Sequence, residues 1–196
     1  MTRVNWILAL ACLVLPLPAS SETTGTLVLD GLSFISFEGY ENVPLPPGSS
    51  LRFHFGDVSG SMAPFSLAPS DVTIPSIELR PGLQLTYALV SGATGTIQRM
   101  NGELHVEFLA TVRASLAGPD EGGARDYALR FTTRQTSATN AAQTETIEVD
   151  GSPVIPGPNY VQIVAGATNQ PDAFPGPGAA VYGVLSGSFD TLPQLP

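Results

Sequence analysis

Leu83-Gln-Leu-Thr-Tyr-Ala-Leu-Val-Ser-Gly-Ala-Thr-Gly-Thr-Ile-Gln-Arg-Met100, then Asn101-Gly102, then Glu103-Leu-His-Val-Glu-Phe-Leu-Ala-Thr-Val-Arg-Ala-Ser-Leu116 is the stretch whose reading decides the fold. Asn-Gly between two alternating runs is the strongest short-range signal of a β-hairpin, because both residues tolerate the positive φ angles of a two-residue type I′ turn. Folding the chain there sets Ile97 opposite Val106 and Gly95 opposite Phe108 on one face. Gln98 then meets His105 and Thr96 meets Glu107 on the other. Leu104, Val106, Phe108, Ala110, Val112 and Ala114 continue the apolar face at period two, as a strand with one face on a core requires. The first run is too long for one strand, so Gly92 and Gly95 are expected to mark a bend or bulge.

Working outward, Thr24 to Asp30 and Leu32 to Phe37 alternate on either side of Asp30-Gly31, which reads as a second hairpin. Leu51 to Phe55 is a short strand, and the prolines between Gly56 and Ser76 read as a long loop with an edge strand near Val72 to Leu79. Beyond the central hairpin, an acidic glycine-rich loop (Gly118 to Gly123) precedes strands at Asp126 to Arg134, Thr144 to Val149, Tyr160 to Ala165 and Val181 to Phe189. Gln135 to Gln143 reads as loop, and Asp150-Gly151 as a third turn. No segment carries a helical period. The pattern predicts an all-β domain of about nine or ten antiparallel strands, a β-sandwich, with a closed antiparallel β-barrel as the alternative. A transmembrane barrel fits poorly: it requires aromatic girdles, and the one tryptophan is Trp6.

Met1 to Ser21 has the layout of a secretory signal peptide: Arg3, an apolar run from Trp6 to Leu17, and small residues at Ala19 and Ser21. The expected organisation is a signal peptide over 1–21, a domain over 22–190 and a short proline-containing tail over 191–196. Cys12, the only cysteine, leaves with the signal peptide, so the mature chain is expected to be cysteine-free and to fold without disulfides. There is no lysine. Removing Arg3 leaves seven arginines against seventeen acidic residues, a net charge of −10. That charge repels phosphate backbones and argues against nucleic acid as a partner. No remaining run approaches the length of a membrane-spanning helix.

Chemistry-bearing residues are few. His54 and His105 are the only imidazoles, each on the polar face of its strand, and neither has a partner at metal-ligand or triad spacing. Glu103 and Glu107 share a face but stand about 13 Å apart along a strand at about 3.3 Å per residue, beyond the roughly 5 to 9.5 Å of glycosidase carboxyl pairs. With Arg99 or Arg113 they read as a solvated mixed-charge face. Asp120, Glu121 and Asp126 supply hard oxygen ligands and are weak calcium candidates. The segment Gly56 to Pro64 holds Ser59 and Ser61 and reads as loop. No catalytic, cofactor or metal site is assigned on these grounds. The expectation is a secreted or periplasmic, non-catalytic binding or structural domain, its partner a protein, a glycan or a small apolar ligand. A lipocalin-like carrier of a small apolar ligand is the alternative, and a secreted hydrolase with an unrecognised site comes third. An enclosed apolar cavity of about 300 Å³ or more favours the carrier; a filled core favours the interaction protein.

The turn yields the first testable outcome. Gly102→Val places a β-branched residue at positive φ and should lower stability by about 1 kcal/mol or more, measured by thermal unfolding; an unchanged melting temperature excludes the type I′ turn.

Overall fold

The computed structural model describes residues 22–37, 40–119, 122–133, 147–149, 152–154, 157–167 and 181–196. The signal-peptide reading, the loop at 135–143 and two calcium candidates, Asp120 and Glu121, lie outside them. The described chain is all-β, with one turn of 3-10 helix at Pro69–Asp71. Its strands are β1 (Thr23–Leu29), β2 (Phe34–Phe37), β3 (Tyr40–Pro44), β4 (Ser50–Phe55), β5 (Met62–Leu67), β6 (Val72–Thr73), β7 (Ile77–Arg80), β8 (Leu83–Leu89), β9 (Ala93–Met100), β10 (Glu103–Ala117), β11 (Gly122–Thr133), β12 (Ile147–Val149), β13 (Ser152–Val154), β14 (Tyr160–Ala167) and β15 (Val181–Phe189).

Eight of these close a barrel in the order β1-β4-β5-β9-β10-β11-β14-β15, and β1 pairs with β15 to complete it. All the pairings are antiparallel. Of the two architectures that period-two alternation allows, the chain adopts the closed barrel. The seam is made by first and last strands, Leu27 facing Phe189 and Leu29 facing Gly187. Glycine is required at 187, because a Cβ there would run into the Val28 carbonyl oxygen. The central hairpin has the register read from the sequence: Ile97 opposite Val106, Gly95 opposite Phe108, Gln98 opposite His105 and Thr96 opposite Glu107. Asn101 and Gly102 have φ of 53° and 86°, as a type I′ turn demands.

Three of the barrel's strands are broken, all toward the same end. Strand β10 pairs with β9 along Glu103–Leu109 and with β8 along Val112–Ala117, on one and the same edge. Consecutive β8 and β9 are thus one strand interrupted at 90–92, where the sequence carries Gly92. Likewise β15 takes β1 at Gly187–Phe189 and β2 at Val181–Val184. The Asp30-Gly31 pair is therefore not a hairpin turn, as its sequence predicts, but a break in a strand that continues along β15. On this edge the break leaves the Ser186 N–H without a backbone acceptor, and Ser33 supplies one: its hydroxyl accepts from the Ser186 N–H at 2.9 Å and donates at 2.9 Å to the Ser186 carbonyl, which also accepts from the Asp30 N–H at 2.9 Å. A buried backbone group left unpaired costs as much as a lost hydrogen bond, which explains a fully buried serine there.

The third break lies between β5 and β6, both of which pair with β4. The prolines of this region predict a loop, yet β5 is a barrel strand containing Pro64. Its carbonyl accepts from Gly56, just past the end of β4, so the missing N–H interrupts no ladder and only ends one. The expected edge strand at Val72 to Leu79 is divided into β6 and β7. Beyond the breaks the chain forms two wings, β8 with β7 and β2 with β3. Strands β12 and β13 pair as a separate small hairpin.

The unbroken end is filled by phenylalanine. Phe53 is wholly buried and contacts Phe65 (4.8 Å between ring centroids), Phe189 (5.1 Å), Phe55 (6.0 Å) and Phe108 (6.5 Å), while Phe108 stacks on Phe131 at 4.3 Å. Such ring pairs add about 0.5–1.5 kcal/mol each beyond area burial. Gly95 makes the room: a Cβ there would stand 2.6 Å from both Phe65 and Phe108. The tail 191–196 is unpaired, but Leu192 and Leu195 pack against the core.

Phe108→Ala should therefore cost about 3–5 kcal/mol, the price of emptying a phenylalanine site. Glu107→Ala, on the exposed face of the same strand, should cost under about 0.5 kcal/mol. Chemical denaturation of both variants checks this; comparable losses would mean that the strand is buried on both faces.

Candidate functional site

Where the three strands break, the phenylalanine packing stops and a cavity of about 50 Å³ remains, partly enclosed. Each broken strand contributes its distal half: Ile35 from β2, Val72 from β6, and Tyr87 and Leu89 from β8. The opposite wall comes from the far part of β10 and from β11, β14 and β15, where the alternation of Val112 and Ala114 with Arg113 turns small apolar side chains inward. Among the described residues no charged side chain lines the cavity. Tyr87 is 8% exposed, and its hydroxyl is buried with no hydrogen-bond partner among the described residues. Burial, reinforced by the neighbouring Tyr127, raises its pKa well above the ordinary phenol value, so it stays neutral.

The histidines lie elsewhere. His54, on β4, is held at both ring nitrogens: Nδ1 lies 3.1 Å from Glu22 Oε1 and Nε2 lies 3.1 Å from Asp71 Oδ2. Asp71 is itself fixed by the Ala68 N–H at 2.7 Å, at the turn that breaks β5 from β6. A base in a Ser-His-Asp arrangement needs one nitrogen for its orienting carboxylate and the other for the nucleophile. Here carboxylates occupy both, so Ser66, opposite His54 in the β4–β5 pair, meets no free imidazole nitrogen. The groove beside this group spans about 410 Å³, but it is open to solvent and encloses nothing. Ser59 and Ser61 lie in the exposed turn before β5, which closes on itself through two backbone hydrogen bonds between Ser59 and Met62.

The mixed-charge face exists, with partners other than those expected. Glu107 accepts from Arg130 at 2.6 Å across the β10–β11 pair, rather than from Arg99 or Arg113. Arg99 instead donates to the Gly102 and Pro158 carbonyls at 3.0 and 2.9 Å. Arg113 forks onto Asp126 at 2.7 and 2.9 Å, and this bidentate pair holds the Asp126 carboxyl below its usual range. Of the three calcium candidates, the one among the described residues is thus engaged by a guanidinium. His105 sits opposite Gln98, with Nδ1 buried and unpartnered among the described residues. Among the described residues no group of three or more His, Cys, Asp or Glu gathers as metal ligands, and no helix is long and apolar enough to cross a membrane. Compared with protein-family models, curated proteins and solved structures, the chain matches none at a significant level.

Sequence reasoning passed over the cavity because its walls are drawn from strands far apart in the chain. The one local sign was the unbroken alternation of Leu83, Leu85, Tyr87 and Leu89 ahead of the Gly92 break.

Two phenols carry a pH dependence. Burial, and next the Asp30 charge, push Tyr160 up to about 12 from 10.0, and Tyr87 is raised further. Between these values the unfolded chain has lost protons that the folded chain keeps, so stability falls as pH rises from about 10 through 12 and is fully present below 10. Phenolate absorbance should show two of the five tyrosines silent until the protein unfolds, and Tyr87→Phe with Tyr160→Phe should flatten the alkaline loss of stability. Ionisation of all five near pH 10 with the fold intact would refute the burial of these hydroxyls.

Proposed function

We propose that this is a non-catalytic binding domain that acts outside the cytoplasm, its N-terminal segment directing export. The observation that carries the reading is how the reactive groups are used: the imidazole of His54 is held between Glu22 and Asp71, and Asp126 is held by Arg113. His54 and Glu22 line only the open groove beside β4 and β5, and neither they nor Asp126 line the cavity at the split end. One end of the interior is packed with phenylalanine, and the cavity at the split end, about 50 Å³, is far below the roughly 300 Å³ at which pockets begin to enclose a whole organic ligand. Full enclosure of cargo, as in a lipocalin-like carrier, is therefore the weaker reading, and contact at the surface or at the mouth of the cavity is the stronger. The acidic chain favours a protein, a glycan or an apolar ligand over nucleic acid.

The test is an activity screen of the full mature chain against nitrophenyl esters, phosphates and glycosides, with His54→Ala and His105→Ala alongside. The expected outcome is no turnover above buffer. Turnover that either substitution abolishes would make the protein an enzyme and reverse the proposal.

A further inference from the structure

We propose that the split end of the barrel receives the end of a single alkyl chain, the polar head of the amphiphile remaining outside. This rests on the binding reading above and names its ligand chemistry. The cavity is lined by hydrocarbon and ring atoms alone, so a charged or strongly hydrated group has nothing there to replace its water. Its half-buried members, Ile35, Val72, Ile74, Val112 and Tyr127, leave apolar surface in water around the opening when the site is empty. A volume of about 50 Å³ admits the last few carbons of one unbranched chain and excludes a ring system or a second chain. A peptide side chain would bring its amides to the same opening, where the lining offers no charged or amide side chain to pair with them.

The placement follows from the broken strands. An intact eight-stranded barrel has an interior just wide enough for its own side chains to fill. Here, beyond the breaks, β2 pairs with β15 and β3, β6 with β4, and β8 with β10 and β7, so the described strands do not close the ring at this level, and small residues on the inner strands, Ala114, Ala165 and Gly183, line the cavity there. The site is thus built by both backbone and composition.

The experiment uses 1-alkanols from butanol to decanol as probes, with calorimetry and methyl NMR on the full mature protein. Shifts should concentrate on Ile35, Ile74 and Leu89. Affinity should rise about fourfold per methylene over the first members of the series and level off once added carbons lie outside. A rise without a break through decanol, or shifts confined to exposed Val28 and Leu109, would mean adsorption to the surface and overturn the proposal. Ala114→Leu, which fills the cavity, should weaken binding about tenfold or more, with Leu109→Ser unchanged; equal affinity in wild type and Ala114→Leu overturns it. If Ala114→Leu fails to fold, Val112→Phe at the opening makes the same demand.

Lysophosphatidylcholine monomers and phosphatidylcholine vesicles separate a soluble amphiphile from a chain held in a membrane. Binding to either in competition with hexanol supports the proposal; binding to neither refutes the amphiphile. N-acetyl-leucinamide binding as tightly as hexanol would point to a protein side chain and refute it as well. Absence of saturable alkanol binding removes this inference alone, whereas the binding reading falls only with histidine-dependent turnover.

Discussion

The packing of phenylalanine rings around Phe53 is the constraint from which the rest of the architecture follows. Rings from β4, β5, β10, β11 and β15 meet there, and the close approach of Phe65 and Phe108 is possible only because residue 95 has no side chain. Interiors packed to crystalline density tolerate neither gaps nor excess volume. The filled end is therefore rigid in its demands: it fixes the register of β9 on β10, the closure of β15 on β1 and the level at which the barrel stops being full. Above that level alanine, valine and glycine appear among the larger inward residues, as at Ala114, Ala165, Val181 and Gly183, and the ring of strands breaks.

Much of this was legible in the chain. Asn101-Gly102 and the alternation around it fixed a long hairpin to the residue, and Gly92 marked a real interruption. Asp30-Gly31 carried the same local signal as a hairpin turn and led to the wrong topology. A dipeptide that tolerates positive φ reports that the chain departs from a straight strand; it does not report which neighbour receives the strand afterwards. Here β15 has unpaired backbone to offer on both sides of the break, and Ser33 bridges the gap, so continuing along the same partner wins over folding back. Pro64 misled in the opposite sense, since a proline at the end of a ladder costs nothing that the ladder needs.

The site was less legible than the fold. Glu22, His54 and Asp71 come from three separated segments, and only the antiparallel order of β1, β4 and the turn before β6 brings both carboxylates to one ring. Glu107 and Arg130 likewise meet through a pairing that no spacing in the sequence specifies. The cavity is harder still to foresee, because it is defined by what is missing between side chains of nine strands. Alternation states which residues turn inward, not whether their summed volume fills the space they enclose.

The joining of β1 to β15 sets an order in time. Leu27 finds Phe189 only after nearly the whole chain exists, and contacts so distant in sequence repay the entropy of loop closure late. Until then β1 and β14 each keep an edge of free N–H and C=O groups that any passing strand can pair with. A chain interrupted before Val181 is thus more than an incomplete domain. It is a sheet with two open edges and an uncovered aromatic core, and the last strand is what withdraws both from its neighbours.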